Sequence, residues 1–249
     1  MKERILNFPN ILTILRILLV PFFIYSLLQE ELFYKILAFT LFSLASVTDF
    51  VDGYLARKWK QETEFGKFLD PFADKILVVG AFLALILLDE QIELWMVLLI
   101  ILRDMLITSL RYIAIKGGKS MRTTRMGKIK TAFQMGSIAF MLTLFMFVRI
   151  SKSRGINALY RAGRDAGKTG FEIANENFLQ FIQSDAFSQG LARGDLLESL
   201  AKFLPYYVML LTTFITVLSG VRYLYSNREL LRYQEIKKLL QGKKKEKEL

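Results

Sequence analysis

The chain has 249 residues, of which 53% are hydrophobic, and its formal net charge is +11. It contains neither histidine nor cysteine, which excludes histidine-ligated zinc, thiolate sites, Ser-His and Cys-His nucleophilic pairs, and disulfides. A mean hydropathy of +0.34 is typical of a membrane protein, and the length leaves too few residues for a second large domain.

Six apolar runs predict an all-α integral membrane protein built as a bundle of six transmembrane helices. The runs lie near Ile11–Leu28, Leu32–Val51, Ile76–Leu88, Leu94–Ile115, Thr131–Ile150 and Phe203–Tyr225. The third run is short for a bilayer, so we expect its helix to begin near Thr63 with a polar first part. The first run carries Arg16 and lacks a small-residue cleavage site, so it does not read as a cleavable signal peptide.

Basic residues concentrate before the first run, after the second, between the fourth and fifth, and in the tail, whereas the alternate short loops are acidic. By the positive-inside rule, this bias predicts a multi-pass protein of the cell (inner) membrane with both termini in the cytoplasm. Because the positive charge is spread over loops on one side of the membrane, membrane topology and anionic lipid explain it better than binding to nucleic acid does. We therefore expect no nucleic-acid partner.

A dense set of polar and small residues occupies the stretch between the second and third runs. It comprises Asp49, Asp52, Gly53, Ala56, Arg57, Gly66, Asp70 and Asp74, in the pattern D-x2-D-G-x2-A-R-x8-G-x3-D-x3-D. On a helix, the first four positions share one face, and the last three share a face on a second helix. Two such helices would aim four carboxylates at one point on the cytoplasmic side. Converging carboxylates repel one another, so the arrangement requires metal.

Hard oxygen ligands suit Mg²⁺, Mn²⁺ or Ca²⁺. Two divalent ions sharing carboxylates at roughly 3.5–4 Å support in-line displacement at phosphorus. Gly53, Ala56 and Gly66 would let a bulky ligand lie against backbone, and Arg57 can pair with a phosphate as a planar fork. The alternative interpretation is that the four acids lie on solvated helix faces.

Two further polar sets occur within the apolar runs. Asn10, Thr13 and Arg16 are spaced three residues apart and form a polar stripe at the cytoplasmic end of the first run. The stripe is either functional, or Asn10 only caps the helix and Arg16 snorkels to the surface. In the fourth run, Asp104 lies seven residues before Arg111 on one helix face, so we expect Asp104 to orient Arg111.

A basic segment follows the fourth run on the predicted cytoplasmic side and contains Lys128, Lys130, Thr131 and Gln134. Together with Arg111, the two lysines are candidate ligands for the phosphate of a small anionic substrate. The alternative is a positive loop that only anchors the protein.

These features divide the chain into four parts. Residues 1–150 form a membrane catalytic domain, 151–202 an extracytoplasmic polar insert, 203–226 the sixth span, and 227–249 a cytoplasmic basic tail. Within the insert, Phe171–Ile182 and Asp195–Leu204 are predicted to form amphipathic helices on the membrane face. The insert contains no catalytic motif, so we interpret it as a lid or as interfacial decoration.

The aspartate pattern resembles the signature of the CDP-alcohol phosphatidyltransferase family at every fixed position. Other segments resemble, in order, the branch of that family that uses glycerol 3-phosphate as its acceptor. They are Pro9-Asn10-Ile11-Leu12-Thr13-x2-Arg16, Leu69-Asp70-Pro71-Phe72-Ala73-Asp74-Lys75, Arg103-Asp104 with Leu110-Arg111, and Gly127-Lys128-x-Lys130-Thr131-x2-Gln134. This chain departs from the family in having Asp104 where Glu is usual, and in carrying the insert where a short connection is common.

The resemblance implies a six-helix bundle of the family type that transfers a phosphatidyl group from CDP-diacylglycerol to glycerol 3-phosphate and releases CMP. It implies two divalent ions, Mg²⁺ or Mn²⁺, held by Asp49, Asp52, Asp70 and Asp74, with Asp74 also acting as general base. Gly53, Ala56, Arg57 and Gly66 would bind the cytidine diphosphate portion. Candidate supporting residues are Thr13, Arg16, Asp104, Thr131 and Gln134. The resemblance also implies membrane lipid as the surroundings and a homodimer.

Two alternatives remain open from the sequence. A sister enzyme would use another acceptor, such as inositol phosphate, serine or phosphatidylglycerol, or would be a CDP-alcohol phosphotransferase that acts on diacylglycerol. A divalent-cation transporter would also need acids, but it would be expected to place them near the middle of broken spans. Here they lie at the cytoplasmic end of the predicted spans, which favours catalysis.

Overall fold

A computed structural model describes the backbone of residues 8–59, 64–116, 125–148, 150–183 and 193–228. Side chains are described for residues 11–48, 73, 75–115, 126–148, 152–183 and 196–228. Every regular element within these ranges is an α-helix. The helices are α1 (Phe8–Leu28), α2 (Leu32–Trp59), α3 (Glu64–Leu88), α4 (Leu94–Lys116), α5 (Arg125–Phe147), α6 (Ile150–Asp165), α7 (Gly170–Gln183), α8 (Arg193–Ala201) and α9 (Leu204–Ser226).

The six long helices α1 to α5 and α9 coincide with the six predicted apolar runs. Among the described residues, three segments are long and apolar enough to cross a membrane: Ile11–Leu28, Met126–Phe147 and Leu204–Ser226. Within the described side chains, Leu32–Thr48 in α2 and Lys75–Leu88 in α3 are shorter apolar helical segments, and the aspartate stretch lies outside that range. The described part of the chain is therefore all-α and contains helices long and apolar enough to cross a membrane, and the count of six spans stays a prediction.

The chain divides into two compact units, which are described separately. One comprises Met1–Glu93 with Met135–Val208, and the other comprises Leu94–Gln134 with Met209–Leu249. In the first unit, α1 packs against α2 and α3, and α2 contacts α3. The buried stripe of α1 advances by three or four residues at each step and consists of Thr13, Arg16, Val20, Phe23 and Leu27. The opposite face, which includes Leu15, Leu18, Phe22 and Tyr25, is exposed as a lipid-facing surface would be.

The insert begins with a helix, α6, that the sequence analysis did not predict. Glu90, in the loop between α3 and α4, accepts from Arg161 Nε and Arg164 Nη1, both at 2.8 Å. In the loop between α1 and α2, Glu30 accepts from Arg154 Nη2 at 2.5 and 2.6 Å. Both loops and α6 therefore lie at the same end of the first unit. The many charges of α6 conceal its helix in the sequence, and distant acids pair with them.

Buried hydrogen bonds complete the attachment of the insert. Asn157 accepts from the Glu90 N–H at 3.1 Å and donates to the Leu88 carbonyl at 2.8 Å. Gln91 Nε2 donates to the Ala201 carbonyl at 2.8 Å, and Tyr160 donates its hydroxyl proton to the Lys202 carbonyl at 2.9 Å. These bonds satisfy backbone groups that burial would otherwise leave without partners.

A tight turn connects α6 to α7. Gly167 adopts a φ of 81°, a left-handed conformation that glycine accommodates without strain. Thr169 and Glu172 then form a capping box: the Thr169 N–H donates to Glu172 Oε2 at 2.7 Å, and the Glu172 N–H donates to Thr169 Oγ1 at 3.3 Å. The cap starts α7 at Gly170, one residue before the predicted start at Phe171.

In the second unit, α4 and the later part of α9 share a small apolar core. Ile107 and Ala114 of α4 are buried with Tyr223 of α9, and Leu110 and Leu224 pack against them. This core fixes the register between α4 and α9, and with it the position of the charged residues of α4 that are described below.

The buried carboxyl of Asp89 generates a pH-dependent prediction. Asp89 is 5% exposed, and burial raises its pKa from 3.8 to about 6, although the Gln91 N–H donates to Oδ1 at 3.0 Å. Because the folded pKa is the higher one, the neutral carboxyl stabilises the fold fully below about pH 4. That stability is lost as the pH rises through about 6. Asp89→Asn keeps the acceptor oxygen and does not ionise.

We therefore expect Asp89→Asn to raise the free energy of unfolding at pH 8 by up to about 3 kcal/mol and to leave it unchanged at pH 4. Thermal unfolding in detergent between pH 4 and pH 8 measures the difference. Glu31→Gln, in the exposed loop between α1 and α2, is the matched control. An equal gain at both pH values would contradict the burial argument.

Candidate functional site

The aspartate signature lies on two consecutive helices of the first unit. Asp49, Asp52, Gly53, Ala56 and Arg57 fall in the C-terminal part of α2, and Gly66, Asp70 and Asp74 fall in the N-terminal part of α3. Both segments are continuous helix, so the spacings of three, four and seven residues do place these positions along helix faces, as predicted. The side chains of all eight residues lie outside the described part of the structure, so the convergence of the carboxylates stays a prediction.

The chemistry of the donor set fits a divalent metal. Four carboxylates on two consecutive helices in contact offer only hard oxygen ligands, which suit Mg²⁺ or Mn²⁺. Among the side chains that the structure describes, no group of three or more His, Cys, Asp or Glu residues is arranged to hold a metal ion. The aspartate signature is therefore the candidate metal centre of this chain.

Thr13 and Arg16 lie on the helix that packs against both signature helices. Thr13 is 0% exposed and Arg16 is 1% exposed, and Arg16 is among the largest fully buried side chains of the described chain. The snorkelling interpretation of Arg16 is therefore wrong, because its side chain is buried against neighbouring helices and does not extend to the surface. A buried guanidinium in a membrane helix is costly unless its surroundings compensate its charge. This burial favours the functional interpretation of the stripe.

A charged cluster joins α4 to α5 in the second unit, with Asp104 at its centre. Arg103 Nη1 donates to Asp104 Oδ1 at 2.9 Å, and Lys130 Nζ forms an ion pair with Asp104 Oδ2. Lys130 also donates to Gln134 Oε1 at 2.7 Å, and Gln134 Nε2 lies 3.4 Å from Asp104 Oδ2. Three predicted site residues thus come together: Asp104, Lys130 and Gln134.

The other predicted residues of this region lie around that cluster in different ways. Arg111 is exposed, its Nε lies 3.5 Å from the Tyr223 hydroxyl, and its guanidinium carbon lies 5.8 Å from the centre of the Tyr223 ring. The partners observed for Asp104 and Arg111 therefore differ from the predicted Asp104–Arg111 pair. Lys128 is exposed, and the Thr131 hydroxyl donates to the Gly127 carbonyl at 3.2 Å, one helical turn earlier.

Sequence reasoning missed the contribution of α9 to this cluster. Arg103 Nη2 donates to Ser219 Oγ at 2.8 Å, and Ser219 is fully buried. The neighbouring Gly220 leaves room for the arginine, because a Cβ at that position would lie 2.9 Å from Arg103 Cγ. The Ser-Gly pair within α9 is the signal in the sequence, since small residues mark close approach in membrane helices.

Comparison with known proteins identifies the family to which the chain belongs. A sequence profile described as CDP-alcohol phosphatidyltransferase matches residues 6–158, more than half of the chain. A CDP-diacylglycerol–glycerol-3-phosphate 3-phosphatidyltransferase from Pectobacterium atrosepticum is 39% identical over 162 residues, which cover 63% of this chain and 86% of the relative. Proteins of the same name from Yersinia enterocolitica and Escherichia coli K12 are 40% and 39% identical, each over 55% of this chain and over 77% and 76% of their own lengths.

The profile match contains the whole aspartate signature on α2 and α3 and the α4–α5 part of the charged cluster. The chain belongs to the CDP-alcohol phosphatidyltransferase family.

Proposed function

We propose that this chain transfers the phosphatidyl group of CDP-diacylglycerol to glycerol 3-phosphate, giving phosphatidylglycerophosphate and CMP in phospholipid biosynthesis. The observation that carries the proposal is the complete aspartate signature on α2 and α3, in a chain about 40% identical to relatives named for this reaction. Its membrane-spanning helices agree with a donor whose acyl chains stay in lipid while its head group reacts at the membrane surface.

For the donor, we assign Asp49, Asp52, Asp70 and Asp74 as the ligands of two divalent ions. Bound Mg²⁺ or Mn²⁺ would supply Lewis-acid stabilisation of the negative charge that develops on the pyrophosphate. The positions of Gly53 and Ala56 on α2 and of Gly66 on α3 keep the helix surface small where the nucleotide would lie. Arg57 would pair with a phosphate of the donor.

For the reaction, we assign Asp74 as general base. It takes the proton of the glycerol hydroxyl, whose oxygen forms a bond to the β-phosphorus of CDP-diacylglycerol. The bond from that phosphorus to the bridging pyrophosphate oxygen breaks, and CMP leaves with the electron pair. No covalent intermediate with the enzyme is needed.

For the acceptor, the charges of the α4–α5 cluster support a phosphate site. Arg103 and Lys130 share the single carboxylate of Asp104, so these three groups together keep a positive charge. A phosphate dianion is attracted to such a centre. The attraction is stronger than between the same groups in water, because the cluster is partly buried. Lys130 is the central ligand in this proposal, with Arg111 and Lys128 as exposed cations for the initial approach.

For the membrane arrangement, we propose a multi-pass protein of the cell membrane with the aspartate signature, both termini and the basic tail 227–249 in the cytoplasm. The contacts that join α6 to the acidic loops after α1 and α3 support this topology. Loops on the same side of the membrane lie at the same end of the helices. The distribution of charge assigns the end with the loops after α1 and α3 to the extracytoplasmic side. A homodimer, as in relatives of the family, completes the proposal.

The test of the function is CMP release by the detergent-purified protein with CDP-diacylglycerol and Mg²⁺. We expect turnover with glycerol 3-phosphate and none with inositol phosphate, serine or phosphatidylglycerol. Turnover with a different acceptor alone would retain the aspartate mechanism and overturn the acceptor. Absence of CMP with every acceptor would overturn the function.

Asp74→Asn tests the general base. The amide cannot accept the hydroxyl proton at neutral pH, so we expect kcat to fall by roughly 10²–10⁴-fold while CDP-diacylglycerol binding is largely retained. Steady-state CMP release together with equilibrium binding of the donor measures both quantities. A variant with wild-type turnover would remove Asp74 from this role.

Lys130→Ala tests the acceptor site. Losing a charge-assisted bond of about 1.5–3 kcal/mol should raise the KM for glycerol 3-phosphate roughly 10- to 100-fold, with a smaller effect on the KM for the donor. Lys152→Ala, which removes the same charge from α6 in the insert, is the matched control and should leave both values unchanged. An effect confined to the donor KM would contradict the assignment.

A further inference from the structure

Helix α7 of the insert presents an apolar stripe to its surroundings. Phe171 is 50% exposed, Phe178 36%, Leu179 45% and Ile182 60%. Offsets of seven, eight and eleven residues from Phe171 place all four on one helix face. The packed face is separate: Ile173, Ala174 and Asn177 are buried, and Gly163 of α6 leaves room for the Ile173 side chain. The stripe is therefore not part of the core.

The stripe lies beside the start of a membrane-spanning helix. The ring centre of Phe178 is 5.4 Å from that of Phe203 and 6.0 Å from that of Tyr207, and Phe171 is 6.5 Å from Tyr207. Tyr207 is in the first turn of α9, whose residues Leu204–Ser226 are long and apolar enough to cross a membrane. Tyrosine rings such as that of Tyr207 are enriched where a span enters the interface between lipid and water. The stripe is therefore continuous with the first turn of a helix long and apolar enough to cross a membrane.

The acids of α7 are occupied by partners within the insert. Glu172 accepts from the backbone N–H and hydroxyl of Thr169, at 2.7 and 3.0 Å, and Lys168 Nζ lies 2.7 Å from both carboxylate oxygens of Glu176. Residues 150–183 carry the basic residues Lys152, Arg154, Arg161, Arg164 and Lys168 and the acidic residues Asp165, Glu172 and Glu176. All five basic residues form ion pairs with acids of the insert or of the adjoining loops, so the apolar stripe, and not net charge, is the feature that favours a lipid surface.

We propose that α7 is an interfacial helix whose stripe of Phe171, Phe178, Leu179 and Ile182 inserts into the lipid leaflet at which α9 begins. The occupant of the stripe is the bilayer itself, between the head groups and the first methylenes of the acyl chains. The insert is thus held on the membrane, with α6 bound to the loops after α1 and α3 on one side and α7 in lipid on the other. This assignment does not depend on the reaction that the chain catalyses.

The absence of cysteine from the chain makes single-cysteine spin labelling a direct test. Ile182→Cys places a label on the stripe, and Gln180→Cys, two residues earlier and also exposed, places the matched control on the opposite face. Leu179→Cys is a second stripe position in case one label disturbs packing. Each labelled full-length protein is reconstituted into vesicles of phosphatidylethanolamine and phosphatidylglycerol, and its collisions with oxygen and with a water-soluble nickel chelate are measured by power saturation.

We expect labels at positions 182 and 179 to be more accessible to oxygen than to the nickel chelate, and the label at 180 to show the reverse order. Equal access of the nickel chelate to stripe and control positions would overturn the proposal. Exclusion of both reagents from the stripe positions would also overturn it, because the stripe would then be covered by protein, such as a second copy of the chain. CMP release by each labelled protein checks that the fold is retained.

Discussion

Charges inside a helical membrane protein must be compensated by other protein groups, and this requirement organises much of the structure. An ionised group that is removed from water costs several kcal/mol or more, so a helix of a membrane protein that carries one needs a compensating group. Asp104 satisfies this requirement with Arg103 from its own helix and Lys130 from α5, and Arg103 reaches Ser219 on α9. The bonds therefore tie together three helices that hydrophobic contact alone would leave free to rotate, because lipid is as apolar as their side chains.

The same requirement agrees with the acceptor site that we propose at this cluster. A family member that accepts a phosphorylated alcohol needs positive charge at the membrane surface, and that charge must be stable before the substrate arrives. A carboxylate shared by two cations stabilises them and still leaves positive charge for an anion. In the metal site that we propose at the aspartate signature the balance would be reversed, because four converging carboxylates would repel one another until divalent cations bind. Each cluster thus carries a charge complementary to the ligand that we assign to it.

Charge pairing also attaches the insert to the first unit, at the loops that follow α1 and α3. The positive residues of α6 pair with Glu30 and Glu90, and Asn157 and Tyr160 satisfy buried carbonyl groups. These pairs are largely exposed and individually weak, so their effect is to orient α6, while the aromatic contacts of α7 with Phe203 and Tyr207 bury apolar area. The sequence profile of the family ends at residue 158, within α6, so the second half of α6 and all of α7 lie outside the family match.

The six long helices, the aspartate signature and the family could all be inferred from the amino-acid sequence alone. Each of these depends on local information: the length of an apolar run, or spacings within two consecutive helices. The sequence did not identify the partners of Asp104, because spacing along α4 pointed to Arg111, whereas Lys130 and Gln134 lie on another helix, 26 and 30 residues away along the chain. Helix α6 was missed for a similar reason. Its many charged residues are typical of a solvated loop, and their partners Glu30 and Glu90 are distant in the sequence. The packed side of α7 could not be predicted from its sequence, because the helix has more apolar residues than one buried face accommodates. The contact of Ile173 with Gly163 of α6 selects that side.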